Sequence, residues 1–283
     1  MSSYVLINKK ILLNSQVKIS INDRSFRYGD GLFETMKVID GVIYNFEAHY
    51  ARMLKGLKAL QISLDTFGFK NDCYKLLKRN KVKSAILRVC ISRGEGSIGY
   101  LPKNSKPILI AQTIKIAKSK CKKITLGVSK QKLWKKDLKI ASCKTAQSLN
   151  YIIARIESSK KGYFDDIMLN YQNHVSECSS ANIFWIKGGK IFTPPAESGI
   201  VNGTIRSRLI KNLPYKINFA KSRIETVLAA DEVFITNSSL LALPVDEVVF
   251  KRKKYKFKKQ LVSKIIEFIN MDIKKYCIKN HVL

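Results

Sequence analysis

The sequence predicts an α+β protein with two domains. Apolar runs of strand length alternate irregularly with segments of helical period, without the strict βαβ order of a doubly wound sheet. A chain of 283 residues with 46% hydrophobic residues is long enough for two modest cores. The basic segment Lys115–Lys123 has no apolar period and is the predicted linker, which gives domains at 1–115 and 124–283 with a linker at 116–123.

The N-terminal domain is predicted to contain two hairpins, two helices and two further strands. Asp40-Gly41 between Gly31–Ile39 and Val42–Phe46 favours a tight hairpin, because both residue types tolerate the positive φ angles of such a turn. A helix after Glu47 is indicated by apolar residues at steps of three and four: Met53, Leu54, Leu57 and Leu60. The other expected elements are a hairpin of 4–8 with 11–14, a helix at 73–78, and strands at 85–92 and 107–114.

The C-terminal domain is predicted to mix short strands with helices. A helix marked by Leu149, Ile152, Ile153 and Ile156 ends near Gly162, where glycine is a common helix stop. The expected strands are 124–129, 166–169, 175–177, 182–186, one near 217, and 232–236. The remaining expected helices are 204–212, 224–229 and 264–272.

Composition narrows the class of protein. The chain has no run of about 18 apolar residues and no secretory leader at its start, so we expect a cytoplasmic protein that does not span a membrane. Its six cysteines form no CxxC pair and its histidines number three, so we expect reduced, mostly buried thiols and no metal site.

The net charge of +31 leaves two explanations open. Lysine is enriched along the whole chain, which favours a solvated basic surface without a specific role. The alternative is nucleic-acid binding by the run Lys251–Lys259, in which Tyr255 and Phe257 stand between basic residues. A hairpin of 248–250 with 255–257, turning at Lys253-Lys254, explains the same alternation, and no recognised nucleic-acid motif accompanies the charge. We therefore expect no nucleic-acid partner.

A series of motifs indicates the chemistry. In order they are DRSFRYGDGLFETMKVIDG (23–41), EAHYARMLKGL (47–57), SRGEGSIGY (92–100), CKTAQSLNYIIA (143–154), VSECSSANIFWIKGGKIFTPP (175–195), GIVNGTIR (199–206) and TNSSLLALPV (236–245). Together they resemble the fold-type IV, or class IV, pyridoxal-phosphate family over almost the whole chain. That family includes branched-chain and D-amino-acid aminotransferases and 4-amino-4-deoxychorismate lyase. The resemblance implies a small N-terminal α/β domain, a larger C-terminal domain with a mixed, barrel-like sheet core, and a homodimer.

The resemblance also implies a set of residues for pyridoxal 5'-phosphate. Lys144 would carry the cofactor as a Schiff base, and its small uncharged neighbours suit a lysine whose amine must become neutral. Glu177 would face the ring nitrogen and keep it protonated. The phosphate would lie where a helix opens, since free backbone N–H groups bind anions there. The implied phosphate residues are Gly203, Thr204, Ile205, Ser238 and Arg52.

Reaction and substrate follow from finer similarities. SRGEGSIGY, ECSSANIFW with Lys187-Gly188, and GIVNGTIR look more like the lyase than like its siblings. The lyase converts 4-amino-4-deoxychorismate, an acidic small molecule, to 4-aminobenzoate and pyruvate for folate biosynthesis. The implied roles are proton transfer by Thr35 and substrate contact by Arg93, Asn237, Glu34 and Tyr28. Glu34 after Phe33 resembles the aminotransferases instead, so a branched-chain or D-amino-acid aminotransferase stays the alternative.

Overall fold

The computed structural model describes residues 3–116, 123–133, 140 and 143–280. They form two units. Unit 1 takes the described parts of Met1–Lys118, Cys143–Gln147 and Lys274–Leu283, and unit 2 those of Ser119–Ser142 and Ser148–Ile273. Residues 117–122 of the predicted linker lie outside the described ranges, so the linker stays a prediction. The short segment Cys143–Gln147 belongs to unit 1, although it lies within the stretch predicted as the second domain.

Unit 1 is built on one antiparallel sheet of six strands in the order β2-β1-β6-β5-β3-β4. The strands are β1 (Tyr4–Ile7), β2 (Lys10–Leu13), β3 (Gly31–Ile39), β4 (Val42–Ile43), β5 (Ala85–Ser92) and β6 (Ile108–Ile114). The helices are α1 (Arg24–Tyr28), α2 (Phe46–Ala59) and α3 (Phe69–Arg79). The core combines the inward faces of β3, β5 and β6 with α2 and α3.

Both predicted hairpins of unit 1 are confirmed. Asp40 and Gly41 have φ of 49° and 78°, as a primed two-residue turn requires. The second strand is shorter than predicted, because α2 begins at Phe46. Met53 and Leu57 are buried as the helical period predicts, whereas Leu54 is 40% exposed and was wrongly assigned to the buried face.

Unit 2 contains two five-stranded sheets. One has the order β16-β15-β7-β8-β9 and is formed by β7 (Thr125–Leu133), β8 (Asp165–Asn170), β9 (Val175–Cys178), β15 (Glu247–Phe250) and β16 (Lys253–Lys256). The other has the order β12-β11-β10-β13-β14 and is formed by β10 (Asn182–Lys187), β11 (Lys190–Thr193), β12 (Ile217–Phe219), β13 (Glu232–Asn237) and β14 (Leu241–Pro244). Neither order of described strands closes on itself, so the expected barrel-like core is instead a pair of open sheets.

Apolar residues of both sheets share one core. Leu126, Ile167 and Val248 of the first sheet belong to the same buried cluster as Ile183 and Ile235 of the second. The helices of unit 2 are α4 (Leu149–Lys160), α5 (Thr204–Asn212), α6 (Ile224–Leu228) and most of α7 (Gln260–Asn280). The last helix is longer than the predicted 264–272.

The basic run forms a hairpin, but the predicted turn was wrong by two residues. The chain turns at Lys251 and Arg252, which have φ of 48° and 65°, and Lys253–Lys256 is already strand β16. The lysines of β16 are exposed while Tyr255 and Phe257 are half-buried. The alternation of basic and aromatic residues is therefore that of a strand with one wet face.

Most of the described cysteines are buried. Cys73, Cys143, Cys178 and Cys277 are buried, as predicted, while Cys90 is exposed, and Cys121 lies outside the described residues. Burial raises the pKa of the Cys178 thiol well above its ordinary value, which suits a packing role. In the described part of the chain no helix is both long and apolar enough to cross a bilayer. No cluster of three or more potential metal ligands occurs there either.

Candidate functional site

Lys144 lies in a segment that runs beside strand β3 in unit 1. The amide of Phe33 donates to the Lys144 carbonyl over 2.9 Å, and the amide of Ala146 donates to the Gly31 carbonyl over 2.9 Å. These bonds fix the backbone on both sides of the lysine. The side chain is half-buried, and its Nζ lies 4.4 Å from the centre of the Phe33 ring. Position and orientation of the amine are thus set by β3.

A buried charged network stands beside it. Glu34 on β3 is 1% exposed and accepts hydrogen bonds of 2.7 Å from both Nε and Nη2 of Arg52 on α2. Its Oε2 also lies 2.7 Å from Nδ1 of His49. Burial alone would raise the pKa of Glu34, but Arg52 and His49 outweigh it and lower the pKa to about 2. Burial also lowers the pKa of His49, so the imidazole is neutral near pH 7.

This network determines the orientation of Arg52. Two of its guanidinium N–H groups are held in a fork by one carboxylate, and its side chain is 11% exposed. Glu34 contacts Arg52 and His49 through a carboxylate that is almost fully buried. Phosphate binding by Arg52 and substrate contact by Glu34 stay predictions. His49 was missed, because a single histidine in a helix gives no signal until its partner 15 residues away is known.

Thr35 follows on the same strand and pairs with Arg88 of β5. Arg88 Nη1 donates to the Thr35 hydroxyl over 2.9 Å, and the guanidinium stacks 3.7 Å from the centre of the Phe33 ring. Phe33 therefore has Arg88 and Lys144 over its ring. Arg88 was not predicted as a site residue. The sequence does carry a signal for it, since it is an arginine within the apolar run Ala85–Ser92.

Arg93 and Tyr28 belong to a second cluster of unit 1, centred on Asp30. Arg93 donates to Asp30 over 2.7 Å and to the carbonyls of Leu60 and Gln61 over 2.7 and 3.0 Å. Arg24 donates to Asp30 as well, over 2.9 Å. Burial would raise the pKa of Asp30, but these two arginines lower it. Arg93 thus connects Asp30 to the end of α2, and its predicted contact with a substrate carboxylate stays a prediction.

Tyr28 and Arg24 order the segment that follows Arg93. The Tyr28 hydroxyl accepts from the amide of Gly99 over 2.9 Å. Arg24 Nη1 donates to the carbonyls of Ser97 and Gly99, each over 2.9 Å. Arg24 is 2% exposed, which makes it a buried anchor for this turn that the sequence did not reveal. Substrate contact by Tyr28 stays a prediction.

Glu177 is a buried carboxylate of unit 2 with several hydrogen-bond donors around it. It lies on β9, is 4% exposed, and accepts a 2.6 Å hydrogen bond from the Tyr151 hydroxyl at Oε1. Its Oε2 accepts from Asn182 Nδ2 over 3.2 Å and from the Val201 amide over 3.0 Å. Hydrogen bonds of this kind favour the charged form of a buried carboxyl. Tyr151 and Asn182 were not predicted as site residues.

The entry to helix α5 lies next to this carboxylate. A Cβ at Gly203 would come within 1.9 Å of Asn182 Oδ1, so any larger residue here would have to displace the Asn182 amide. The Thr204 hydroxyl lies 3.1 Å from the Ser238 hydroxyl, and Thr204 and Ile205 are both buried. The structure therefore brings together Gly203, Thr204, Ile205 and Ser238, four of the five residues predicted for phosphate.

Arg206 stabilises the turn before α5. Its Nη1 donates to Asn202 Oδ1 over 3.0 Å and its Nη2 to the Pro194 carbonyl over 2.9 Å. Burial lowers the pKa of this arginine to about 10, which leaves it charged at neutral pH. The buried guanidinium therefore holds this turn in place. The first amides of α5 stay aligned with the helix axis, where their dipoles add up.

Asp165 organises the turn after Glu177. This buried carboxylate accepts from the amides of Ser179 and Ser180, each over 3.1 Å, and from the Ser180 hydroxyl over 2.6 Å. The Ser179 hydroxyl is a further donor.

Asn237 contacts the same turn. Its Nδ2 donates to the Ser180 carbonyl over 3.0 Å, while its Oδ1 accepts from the amides of Ser239 and Leu240. Substrate contact by Asn237 stays a prediction, and Asp165 is a further residue that the motifs did not reveal.

The sequence and the fold resemble those of known proteins. The family model described as "Amino-transferase class IV" matches residues 31–248. Aminodeoxychorismate lyase of Vibrio harveyi is 31% identical over 250 residues, which cover 86% of this chain and 92% of that protein.

Two solved structures have the same fold. That of 4-amino-4-deoxychorismate lyase from Pseudomonas aeruginosa has a TM-score of 0.83 at 24% identity, covering 95% of this chain and 99% of the other. That of the branched-chain aminotransferase from Thermoproteus uzoniensis, with norvaline, has a TM-score of 0.89 at 21% identity, covering 98% of each chain. Further structures with this fold hold a phosphopyridoxyl-glutamate adduct or pyridoxamine phosphate. The chain therefore belongs to the class IV aminotransferase family, a family of enzymes that use pyridoxal phosphate.

Proposed function

We propose that the protein is a pyridoxal-phosphate lyase that converts 4-amino-4-deoxychorismate to 4-aminobenzoate and pyruvate, a step of folate biosynthesis. The observation that carries the cofactor assignment is the arrangement around Glu177: a buried carboxylate with three hydrogen-bond donors beside a glycine-opened helix. A carboxylate of this kind suits a protonated ring nitrogen, and a helix entry with hydroxyls suits a phosphate. The donor set therefore fits the cofactor.

Each remaining cofactor role is assigned to a residue of suitable chemistry. Lys144 forms the covalent bond to the cofactor aldehyde. The amides at Gly203, Thr204 and Ile205, with the hydroxyls of Thr204 and Ser238, bind the phosphate. Arg52 adds a cation, and Glu34 holds its guanidinium in one orientation, a positioning role supported by the two hydrogen bonds between them.

The chain's own residues perform the proton transfers. Pyridoxal phosphate, when bound, supplies a conjugated ring that stabilises negative charge on the substrate carbon. Lys144, the residue that would hold the cofactor, would also take the proton from that carbon with its free amine. The Thr35 hydroxyl, oriented by Arg88, relays a proton near the reacting ring. The C–O bond between the ring and the enolpyruvyl oxygen then breaks as the ring becomes aromatic. The electron pair leaves with the oxygen, and protonation of the CH2 carbon of the released enolpyruvate gives pyruvate.

Acidic groups of the substrate need cationic or amide partners. We assign Arg93 and Asn237 to these contacts, with Tyr28 shaping the same region. The charge of +31 favours the arrival of a dicarboxylate through long-range attraction. We further propose a cytoplasmic homodimer without a nucleic-acid or membrane partner, and a size measurement in solution tests the dimer.

An aminotransferase acting on branched-chain or D-amino acids is the second candidate. Its support is Glu34 directly after Phe33, a pair that resembles the aminotransferases, and the shared fold with the Thermoproteus uzoniensis enzyme. The lyase is favoured by the relative from Vibrio harveyi, whose name is that of a lyase. Reaction outcome depends on a few side chains, so the choice rests on an assay.

The deciding experiment supplies 4-amino-4-deoxychorismate to the purified, cofactor-loaded protein without any keto acid. We expect 4-aminobenzoate and pyruvate in equal amounts, detected by chromatography. The matched assay supplies branched-chain or D-amino acids with 2-oxoglutarate. Transamination there, with no 4-aminobenzoate in the first assay, would establish the second candidate instead.

A further inference from the structure

Tyr151 on helix α4 is the buried phenol that contacts Glu177. The hydroxyl lies 2.6 Å from Glu177 Oε1, across 26 positions of sequence. Burial, and then the nearby Glu177 carboxylate, raise the pKa of Tyr151 well above its ordinary value. The phenol therefore keeps its proton, and it is the donor of this hydrogen bond.

The surroundings of Tyr151 hold its ring in place. Its ring packs against a small apolar cluster of Leu133, Ala154 and Met168, from β7, α4 and β8. Met168 is also paired with Glu177 across β8 and β9. One face of the phenol is thus fixed by apolar contacts, and its hydroxyl is directed at the carboxylate. A rigid donor of this kind restricts the rotamers available to Glu177.

The three donors to Glu177 described above come from different parts of unit 2. Tyr151 lies on α4, Asn182 on β10, and the Val201 amide in the turn before α5. Oε1 accepts from Tyr151 and Oε2 from the other two. Removing the phenol hydroxyl would therefore weaken the support of one oxygen selectively, which makes its role testable.

Resting on the proposed function, we propose that Tyr151 is a positioning residue that holds Glu177 as an oriented anion toward the ring nitrogen of pyridoxal phosphate. Without the phenol hydrogen bond the carboxyl has a higher proton affinity and more rotational freedom. A protonated Glu177 no longer stabilises a protonated ring nitrogen. Cofactor affinity therefore depends on the Tyr151 hydroxyl.

The test is the change Tyr151→Phe, which removes one oxygen and keeps the ring. Apoprotein is titrated with pyridoxal 5'-phosphate across a range of pH, and binding is followed by tryptophan fluorescence and visible absorption. We expect the dissociation constant to rise about 10-fold or more near neutral pH, because hydrogen bonds to buried charged groups are among the stronger ones. The loss should grow as the pH falls, since the charge of Glu177 in the variant is supported only by the Asn182 and Val201 donors and by the nearby Arg206 guanidinium.

Two further variants test whether the effect is specific to the Tyr151 hydroxyl and whether it acts through Glu177. Tyr74→Phe removes a half-buried phenol oxygen in unit 1 that accepts from the Ile43 amide, and its cofactor affinity should equal that of the unchanged protein. Glu177→Gln removes the anion. If Tyr151 acts through Glu177, adding Tyr151→Phe to Glu177→Gln changes the affinity much less than it does in the unchanged protein.

The outcomes are distinguishable. Equal affinity and equal pH dependence for Tyr151→Phe and Tyr74→Phe would overturn the role of Tyr151, as would full additivity with Glu177→Gln. Circular dichroism and thermal unfolding of the apoproteins identify a variant that has merely lost its fold; in that case Tyr151→Met, which fills the apolar cluster and has no hydroxyl donor, replaces it in the same comparison. If the unchanged protein fails to bind pyridoxal phosphate at all, the proposed function itself fails.

Discussion

Each unit has a buried glutamate at its candidate site, Glu34 in unit 1 and Glu177 in unit 2, and these two glutamates are held in different ways. Glu34 in unit 1 is paired directly with a cation, Arg52, and with His49. Glu177 in unit 2 accepts its described hydrogen bonds from neutral donors, a phenol, a side-chain amide and a backbone amide. The first carboxylate uses its charge to orient a guanidinium. The second is stabilised as an anion by these dipoles and by the electrostatic attraction of the buried Arg206 guanidinium, and its uncharged hydrogen-bond donors leave it suited to a cationic ligand.

The largest effect is expected at Lys144, which we propose holds the cofactor covalently, a role that neither glutamate can take. Lys144→Ala should lower turnover about a thousandfold or more, because nucleophile and base are lost together. Borohydride reduction of the unchanged protein should attach the cofactor to the peptide containing Lys144, found by mass spectrometry. Lys211→Ala, an exposed lysine on α5, is the control and should keep turnover. Retained turnover in Lys144→Ala would move the catalytic lysine elsewhere.

Glu34→Gln tests the ion-paired half of the comparison through stability. Removing one partner of a buried pair costs about 3 kcal/mol, since Arg52 then lacks its counter-ion. The folded pKa of Glu34, about 2, lies below the unfolded value, so its contribution is present above pH 4.5 and is lost as the pH falls toward 2. Urea unfolding at several pH values should therefore show the difference from the unchanged protein shrinking below pH 4.5. Glu225→Gln, an exposed change of the same kind on α6, should show no such trend.

Asp166 offers the opposite behaviour, a buried carboxylate whose charge is poorly compensated. Neither of its side-chain oxygens has a hydrogen bond of good geometry among the described residues, and burial raises its pKa to about 6, which Lys161 and the Gly127 amide offset only in part. Because the folded pKa lies above the unfolded one, this group favours the folded state at low pH and loses that contribution as pH rises from about 4 to 6. Asp166→Asn should raise the free energy of unfolding by about 2 kcal/mol at pH 7. A gain that persists unchanged at pH 3.5 would contradict the charge explanation.

The smallest effect comes from the basic hairpin, which lies outside both glutamate networks. Lys251 and Arg252 occupy left-handed positions that asparagine and glycine adopt with less strain. The double change Lys251→Asn with Arg252→Gly should stabilise the protein by about 1 kcal/mol, measured by thermal unfolding. Lys253→Asn removes a charge on the strand without relieving strain and should give no gain. Equal shifts in both variants would point to charge and not to backbone strain.

Sequence patterns predicted the elements whose signals are local. The turn at Asp40-Gly41 was predicted correctly because its residue types demand positive φ. The turn at Lys251-Arg252 was misplaced because neither residue carries that signal. Helix α7 extends to Asn280, beyond the predicted end at Asp272, since no glycine or proline stops it there.

The candidate site divides in the same manner. Motifs pointed to Lys144 and Glu177, whose neighbours in sequence are distinctive. They did not point to Tyr151, His49 or Asp165, because each of these acts on a partner that only the folded chain brings near. In the sequence, Tyr151 is one of several large residues in a helix, and its importance emerges only when its hydroxyl is found 2.6 Å from Glu177.

The side-chain amide of Asn182 makes two contacts. Its nitrogen donates to Glu177, and its oxygen occupies the space that any side chain at position 203 would need. A methyl group at 203 would displace this amide and so disturb the carboxylate as well. The carboxylate proposed for the ring nitrogen and the helix entry proposed for the phosphate therefore share one side chain, and a change that moves Asn182 at one place is felt at the other.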